Sequence, residues 1–242
     1  PVITTVHGFS SERIVAVYEK YDDRGSYVAI SEADRHERLH YIATIHHGID
    51  MAAFAPHSAP GTYLLFFGRI HPDKGTATAI DVAEQAGLPL TIAGIIQDRE
   101  YFERYVEPRL DGERVRYIGP VGPEARVDLL ADARALLHLI DFDEPFGYSV
   151  VEAMACGTPV IANARGSMPE IVRHGEGGYL VHSLDEAVAA VHASGDMDRL
   201  AVRASVERRF DVERMVDEYL DVYRLVIAQR RAGRSRLEAD SA

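Results

Sequence analysis

Two glutamates in the segment EPFGYSVVEAMACGTPVIA are the most informative chemical groups in this chain. Glu144 precedes a Phe-Gly turn, and Glu152 follows on the helix predicted to begin after that turn. A glycine stop at Gly157 and an apolar strand over 159–162 complete the unit. Open α/β sheets bind phosphorylated ligands at edges of this kind. We therefore expect a ligand site at this turn, and a nucleotide-activated sugar is the ligand that we favour.

Two cations stand in a second motif, GRIHPDKG, where a predicted strand opens into a helix. They are Arg69 and Lys74. Transfer of a sugar from a nucleoside diphosphate requires stabilisation of an anionic leaving group, and two cations can neutralise a diphosphate without a metal ion. Most Arg and Lys side chains are simply exposed charges. A position at the carboxyl end of a parallel strand favours the functional interpretation, so we predict a diphosphate clamp.

The backbone at Phe146, Gly147 and Tyr148 is predicted to begin a helix. Unpaired N–H groups at a helix start attract anions and hydroxyl oxygens, and glycine allows close approach of a ligand. Glu152 could accept hydrogen bonds from the two vicinal hydroxyls of a ribose, whereas Glu144 faces the space before the helix. The downstream loop ARGSMPE either lines the same cleft with its amides or simply begins another helix.

Histidines are weaker candidates. His7 ends the predicted strand VITTV and could project into a cleft between two domains, although a lone histidine more often packs or caps than catalyses. His46 and His47 are adjacent and therefore point in opposite directions on a strand, which is poor geometry for joint metal binding. The sequence contains no convincing metal motif, so we expect a site that needs no metal ion.

Strands alternate with helices from residue 58 onwards, which predicts right-handed βαβ units and a Rossmann-like, doubly wound parallel sheet in an α/β fold. One predicted helix covers 98–110. We assign 58–210 to one complete domain and 211–242 to a C-terminal helix with a solvated tail. Residues 1–57 are interpreted as the remnant of a preceding Rossmann-like domain plus a linker, with part of that domain missing upstream.

Composition limits the classes of partner. The formal net charge is −12, with 38 acidic residues against 26 Lys and Arg, which argues against a nucleic-acid partner. The single cysteine, Cys156, excludes an intramolecular disulfide and is expected in the core. No apolar run approaches the roughly 20 residues that span a bilayer, and no signal peptide is visible. We expect a cytoplasmic protein, with a weak peripheral membrane contact left open for the arginines of the tail.

Six motifs in their order along most of the chain closely resemble those of the family 4 retaining glycosyltransferases of the GT-B fold. The motifs are GRIHPDKG, IAG, YIGPV, the glutamate segment, GSMPEIV and HGEGGYLV. The resemblance implies that Glu144 lies beside the donor sugar and that Glu152 binds the nucleotide ribose. Arg69 and Lys74 would clamp the diphosphate, and His7 would lie near the sugar. Further contacts to the donor are expected from Phe146, Gly147, Tyr148, Ser149, Gly68 and Gly94.

The resemblance implies a retaining, metal-independent transfer of a hexose from a nucleoside-diphosphate sugar to an unknown acceptor, without a cofactor. A UDP-sugar is favoured and GDP-mannose is the second candidate. Tyr148 stands where leucine is usual and Arg165 where a small residue is common, so the sugar preference is not carried over. The alternative is a nucleotide-sugar binding module that is inactive without a separate or missing N-terminal half. A phosphorylase or a sugar-nucleotide epimerase is less favoured, since no lysine has a convincing context for pyridoxal phosphate.

Overall fold

Two parallel β-sheets organise the chain, and the computed structural model describes them within residues 2–8, 12–59 and 61–240. The smaller sheet has the strand order β1-β2-β3. Its strands are β1 (Ile3–Val6), β2 (Ser26–Ala29) and β3 (Tyr41–Thr44), and helix α1 (Glu12–Lys20) connects the first two. All of its described strand pairs are parallel, as a Rossmann-like crossover requires.

The larger sheet has the strand order β6-β5-β4-β7-β8-β9, again with parallel pairs. Its strands are β4 (Tyr63–Phe67), β5 (Leu90–Ala93), β6 (Val115–Gly119), β7 (Ala133–His138), β8 (Val160–Asn163) and β9 (Gly178–Val181). The chain builds outward from β4 through β6 and then returns to place β7 on the other side of β4. The topological switch point therefore lies between β4 and β7, where such sheets bind ligands.

Helices cover both faces of the larger sheet. They are α2 (Thr76–Ala86), α3 (Arg99–Tyr101), α4 (Pro123–Ala131), α5 (Tyr148–Ala155), α6 (Met168–Ile171), α7 (Leu184–Ala193) and α8 (Arg199–Glu207). Neighbouring residues of β4 enter different cores, because Leu64 packs with α2 and α7 whereas Leu65 packs with α5 and α8. Each buried leucine contributes about 1.5–3 kcal/mol, so both cores stabilise the sheet. The predicted α/β, Rossmann-like parallel sheet is confirmed.

The helix predicted over 98–110 is wrong as a continuous α-helix. The α-helical part covers only Arg99–Tyr101, a π-helical turn follows over Phe102–Val106, and a 3₁₀ turn over Glu107–Arg109 ends the segment. Pro108 explains the difference. Its ring has no N–H to donate and clashes with the carbonyl of the preceding turn, so the backbone widens and then tightens instead of continuing as an α-helix.

The last helix, α9 (Val212–Asp240), packs back onto the smaller sheet. Val222 and Val226 are buried against Val28 and Ile45, with Met215 and Tyr219 alongside, so the predicted apolar stripe of this helix is confirmed. Cys156 is also buried, as expected. In the part of the chain that the structure describes, none of the helices combines the length and apolarity that a bilayer crossing requires. The domain boundaries proposed from the sequence stay predictions.

Candidate functional site

A cleft of about 230 Å³ opens at the carboxyl ends of β4 and β7. We call it the strand-end cleft. Seven residues singled out from the sequence line it: Gly68, Arg69, Lys74, Glu144, Gly147, Tyr148 and Ser149. The two cations and the start of α5 therefore share one crevice at the switch point of the sheet, which is the arrangement that an anionic ligand requires.

Lys74 and Glu144 form the most enclosed ion pair of this cleft, with 2.6 Å between Lys74 Nζ and Glu144 Oε2. Their side chains are only 15% and 16% exposed. Lys74 ends a 3₁₀ turn over Pro72–Lys74, and the Asp141 N–H donates to the Asp73 carbonyl at 2.8 Å, which ties this turn to the loop after β7. Water screens so enclosed a pair less than it screens a surface pair, so each partner depends strongly on the other.

Arg69 is exposed at the mouth of the strand-end cleft and donates a hydrogen bond to the side chain of Gln97. Gln97 had no signal in the sequence, because its link to Arg69 depends on the pairing of β4 with β5. Gly94, at the end of β5, packs against the carbonyl of Gly68, and a Cβ atom on Gly94 would collide with that oxygen. Gly68 lines the cleft directly, and Gly94 permits the close approach behind it.

The turn before α5 depends on Gly147, which caps the helix with a φ of 86°, in the left-handed region that favours glycine. The ARGSMPE loop braces this turn. Ser167 Oγ donates to the Phe146 carbonyl at 3.0 Å, and the Ser167 N–H donates to the Glu144 carbonyl at 2.9 Å. The same loop begins α6 at Met168, so it is both a helix start and a support for the turn that carries Glu144.

Glu152 occupies a different setting. It lies in α5, is 6% exposed, and pairs with Arg126 of α4 at 3.2 Å between Oε1 and Nη1. Burial raises the pKa of the Glu152 carboxyl above its ordinary value, and Arg126 only partly offsets this rise. The described residues that line the strand-end cleft do not include Glu152. The sequence offered no signal for Arg126, because only the packing of α4 beside α5 brings it to Glu152.

Three aromatic rings form a stack beside the strand-end cleft. His47 lies between His7, with centroids 5.2 Å apart, and Tyr148, with centroids 4.9 Å apart. Burial, with His7 and His46 nearby, lowers the pKa of His47 to about 4. His7 lines two further clefts, of about 410 and 300 Å³, and Glu144 lines both of them as well. The role of His7 near a donor sugar stays a prediction.

His46 is not part of this stack, and its Nε2 lies 2.9 Å from Glu170 Oε2. Both histidines follow the end of β3 at Thr44, and the rings of both lie near Phe146, so the opposite directions predicted for two neighbours on a strand do not apply. Within residues 2–8, 12–59 and 61–240, no group of three or more His, Cys, Asp or Glu side chains is arranged to hold a metal ion. Arg165, one of the two departures from the family pattern, pairs with Asp141 at 2.5 Å, and both side chains are exposed.

His138 is a cleft residue that sequence reasoning missed. It is the last residue of β7 and lines the strand-end cleft, with its Nε2 3.8 Å from Glu144 Oε2. Burial and the neighbouring Lys74 lower the pKa of His138 to about 3, so the imidazole is neutral at physiological pH. A signal was present, because a polar residue at the carboxyl end of a parallel strand is the same feature that indicated Arg69.

Cations, a carboxylate and a helix start converge at the switch point of this Rossmann-like domain, an arrangement that suits an anionic, phosphorylated ligand. The family described as glycosyl transferases group 1 matches residues 53–194, and the chain belongs to this family. The predicted resemblance to family 4 glycosyltransferases of the GT-B fold is thereby confirmed.

Curated relatives agree with this assignment. The D-inositol 3-phosphate glycosyltransferase of Mycobacterium marinum is 31% identical over 227 residues, which cover 82% of this chain and 48% of the relative. The protein of the same name from Saccharomonospora viridis is 30% identical over 235 residues, which cover 81% of this chain and 54% of the relative. The chain therefore spans about half the length of these curated relatives.

Solved structures show the same architecture. AviGT4, a glycosyltransferase involved in avilamycin A biosynthesis, superposes with a TM-score of 0.72 at 29% identity, covering 84% of this chain and 64% of that chain. Anabaena HepE in complex with UDP-glucose superposes with a TM-score of 0.75, covering 92% of this chain and 72% of that chain. Its 20% identity makes the second likeness one of fold alone.

Proposed function

We propose that this chain binds the sugar donor of a glycosyltransferase, and that the whole protein transfers a hexose from a nucleoside-diphosphate sugar to an acceptor. One observation carries the proposal: Arg69, Lys74, Glu144 and the start of α5 line a single cleft at the switch point. Membership of the glycosyl transferases group 1 family supports it. A UDP-sugar is the first donor to test, because HepE, which has the same fold, was solved with UDP-glucose.

The proposed chemistry follows from the charges in the strand-end cleft. The diphosphate lies by Arg69 and Lys74, where positive charge stabilises the anion that develops as the bond between the anomeric carbon and the phosphate oxygen breaks. The acceptor oxygen forms its bond to the same face of the sugar, which retains configuration, and its proton passes to the departing phosphate oxygen. Glu144 positions the sugar. In this proposal the two cations supply the positive charge, so the transfer needs no metal ion.

Glu152 keeps the predicted role of binding the nucleotide ribose. Arg126 occupies one side of its carboxylate, through Oε1, which leaves Oε2 as the acceptor for a ribose hydroxyl. The pair also holds Glu152 in one orientation. Arg126 favours the ionised form of this acid, which can accept hydrogen bonds, against the opposing effect of burial.

The second candidate function is that of a nucleotide-sugar binding module that catalyses no transfer by itself. The observation in its favour is that the chain spans about half the length of the curated relatives it matches. In this case the chain binds the donor but moves no sugar until a further domain closes over the 410 Å³ cleft beside His7.

Thermal denaturation with added UDP, UDP-glucose, GDP, GDP-mannose and ADP tests the proposal. A ligand that binds only the folded state stabilises it by about 2.7 kcal/mol at a concentration of 100 Kd, which raises the melting temperature. We expect a nucleoside diphosphate and its sugar conjugate to produce this rise. If none of the five does, the proposed function is wrong.

Following release of the nucleoside diphosphate separates the two candidates. Incubation of the chain with its donor, with and without a mixture of sugar acceptors, should release the nucleotide if the chain is a transferase. Binding without release supports the module.

A further inference from the structure

The buried side of the strand-end cleft holds a polar atom without a partner. His138 ends β7, and its side chain is only 8% exposed. Its Nε2 is buried and has no hydrogen-bond partner among the described residues. Buried polar atoms of native proteins are nearly always paired, and one that is not destabilises the fold. We therefore looked for a group that could form a hydrogen bond with His138 Nε2.

The nearest acceptor is the carboxylate of Glu144. His138 Nε2 and Glu144 Oε2 are 3.8 Å apart, and the same oxygen already accepts from Lys74 Nζ at 2.6 Å. A separation of 3.8 Å is too long for a hydrogen bond, but an approach of about 1 Å would create one. Glu144 lies in the loop before α5 rather than inside a helix or strand. Loops absorb small shifts of this size more readily than strands do.

The protonation state of His138 fits a donor. The ring is buried and close to Lys74, and these two causes lower its pKa to about 3, so it stays neutral. A neutral imidazole carries one N–H, which can donate to a carboxylate without adding a second positive charge beside Lys74. A carboxylate oxygen has room for both donors.

We propose that His138 is a positioning residue: its Nε2–H donates to Glu144 Oε2 when a donor sugar fills the strand-end cleft, and this turns Glu144 Oε1 toward the sugar. Lys74 and His138 together hold one oxygen of the carboxylate, so the other oxygen has a fixed direction. Orientation of this kind matters because a small misplacement of a positioning group lowers the rate strongly. The inference rests on the proposed function and extends it to a residue outside the motif.

A purely structural imidazole makes a different prediction. Leu136 and Leu137 precede His138 in β7, so a leucine would suit the strand and the surrounding core. If His138 only fills space, His138→Leu changes stability without any preference among ligands. If His138 positions Glu144, the substitution weakens the ligand that carries a sugar and spares the ligand that lacks one.

Isothermal titration of UDP and UDP-glucose into the wild type and three variants tests this difference, with GDP and GDP-mannose as the second pair. His138→Leu removes the N–H, His138→Gln keeps an N–H donor, and His192→Leu makes the same change at an exposed position on α7. We expect His138→Leu to bind UDP like the wild type and UDP-glucose about tenfold more weakly, as the loss of one hydrogen bond to a charged group implies. His138→Gln should restore most of the affinity, and His192→Leu should match the wild type.

The failures are distinguishable. If the wild type binds both ligands and His138→Leu binds both equally well, the inference about His138 is wrong and the proposed function stands. If the wild type binds neither pair, the proposed function fails and the inference falls with it.

A measurement on the wild type covers the case in which His138→Leu does not fold. Long-range ¹H–¹⁵N spectra report which ring nitrogen of a histidine carries the proton. We expect the proton on Nε2 of His138, with a shift of that signal on addition of UDP-glucose and not of UDP. A proton that stays on Nδ1, or an equal response to both ligands, would overturn the assignment.

Discussion

Glu144 and Glu152 belong to one motif, yet their surroundings are opposite. Glu144 stands in the loop before α5, pairs with Lys74 and lines three clefts. Glu152 stands inside α5, is 6% exposed, and pairs with Arg126 of a neighbouring helix. A residue before a helix faces the space in front of it, whereas a residue in its second turn faces whatever packs alongside. The spacing of the motif therefore places both acids at the start of one helix, but it does not determine which of them lines a cleft.

The largest effect is expected on the Glu144 side of the comparison, for Lys74→Met in the whole enzyme. The substitution removes a preorganised charge from the leaving diphosphate, and we expect turnover to fall by about 10²–10³-fold, the range for loss of one such group. The measurement is the initial rate of sugar transfer. Lys20→Met is the matched control, because Lys20 is exposed at the end of α1 and far from both acids in the sequence. Similar rates for Lys74→Met and the wild type would contradict the role given to the cation.

Loss of the partner of Glu152, the buried glutamate, should lower the free energy of unfolding. Arg126→Met leaves the Glu152 carboxylate enclosed without a cation, and we expect the free energy of unfolding to fall by about 3 kcal/mol, the low end for a broken buried pair. Urea denaturation measures this. Arg99→Met removes an exposed pair with Glu103, at 3.5 Å, and should cost about 0–0.5 kcal/mol. Equal losses in the two variants would show that the Glu152 pair is no more enclosed than a surface pair.

The pH dependence of stability also tests whether Glu152 is buried. Because burial raises the pKa of folded Glu152, the folded state binds its proton more tightly than the unfolded state does. The free energy of unfolding should therefore fall as the pH rises from the ordinary glutamate pKa of 4.5 toward the raised value. Asp34, whose pKa burial raises to about 6, contributes a separate fall. Glu152→Gln should flatten the profile in part, and an unchanged profile would refute the raised pKa.

The smallest effect concerns the support of the Glu144 turn. Ser167→Ala removes the hydrogen bond to the Phe146 carbonyl and should cost about 1 kcal/mol of unfolding free energy. Ser194→Ala removes a comparable buried bond, to the Val191 carbonyl, away from the strand-end cleft. Both variants should lose similar stability in urea denaturation, and only Ser167→Ala should also weaken donor binding. Weaker binding in both variants would mean that general destabilisation, rather than the turn, is responsible.

The fold was predictable because local patterns carry it. The apolar runs of β4 and β7 have the length of strands buried on both faces, and the helices between them have ordinary starts and stops. The sequence could not show that β4 neighbours β7, since that pairing is a property of the whole sheet. The prediction of one α-helix over 98–110 was wrong because Pro108, a helix breaker visible in the sequence, has no N–H for the α-helical hydrogen bonds.

The site was predictable to the extent that its residues lie at strand ends. Arg69 and Lys74 lie in the segment after β4 and Glu144 lies in the segment after β7, so the rule for parallel sheets places them at the same sheet edge. Arg126 and the stacking of His47 between His7 and Tyr148 depend on contacts between elements that are distant in the sequence. The types and spacings of these residues in the sequence do not predict those contacts.

We propose that the strand-end cleft binds a nucleoside-diphosphate sugar through Lys74. Calorimetry tests this most directly, by measuring the affinity for UDP-glucose in the wild type, Lys74→Met and Lys20→Met. We expect binding to the wild type, the same affinity in Lys20→Met, and a loss of about tenfold or more in Lys74→Met, as expected for one charge-assisted contact. Equal affinity in all three proteins would contradict it.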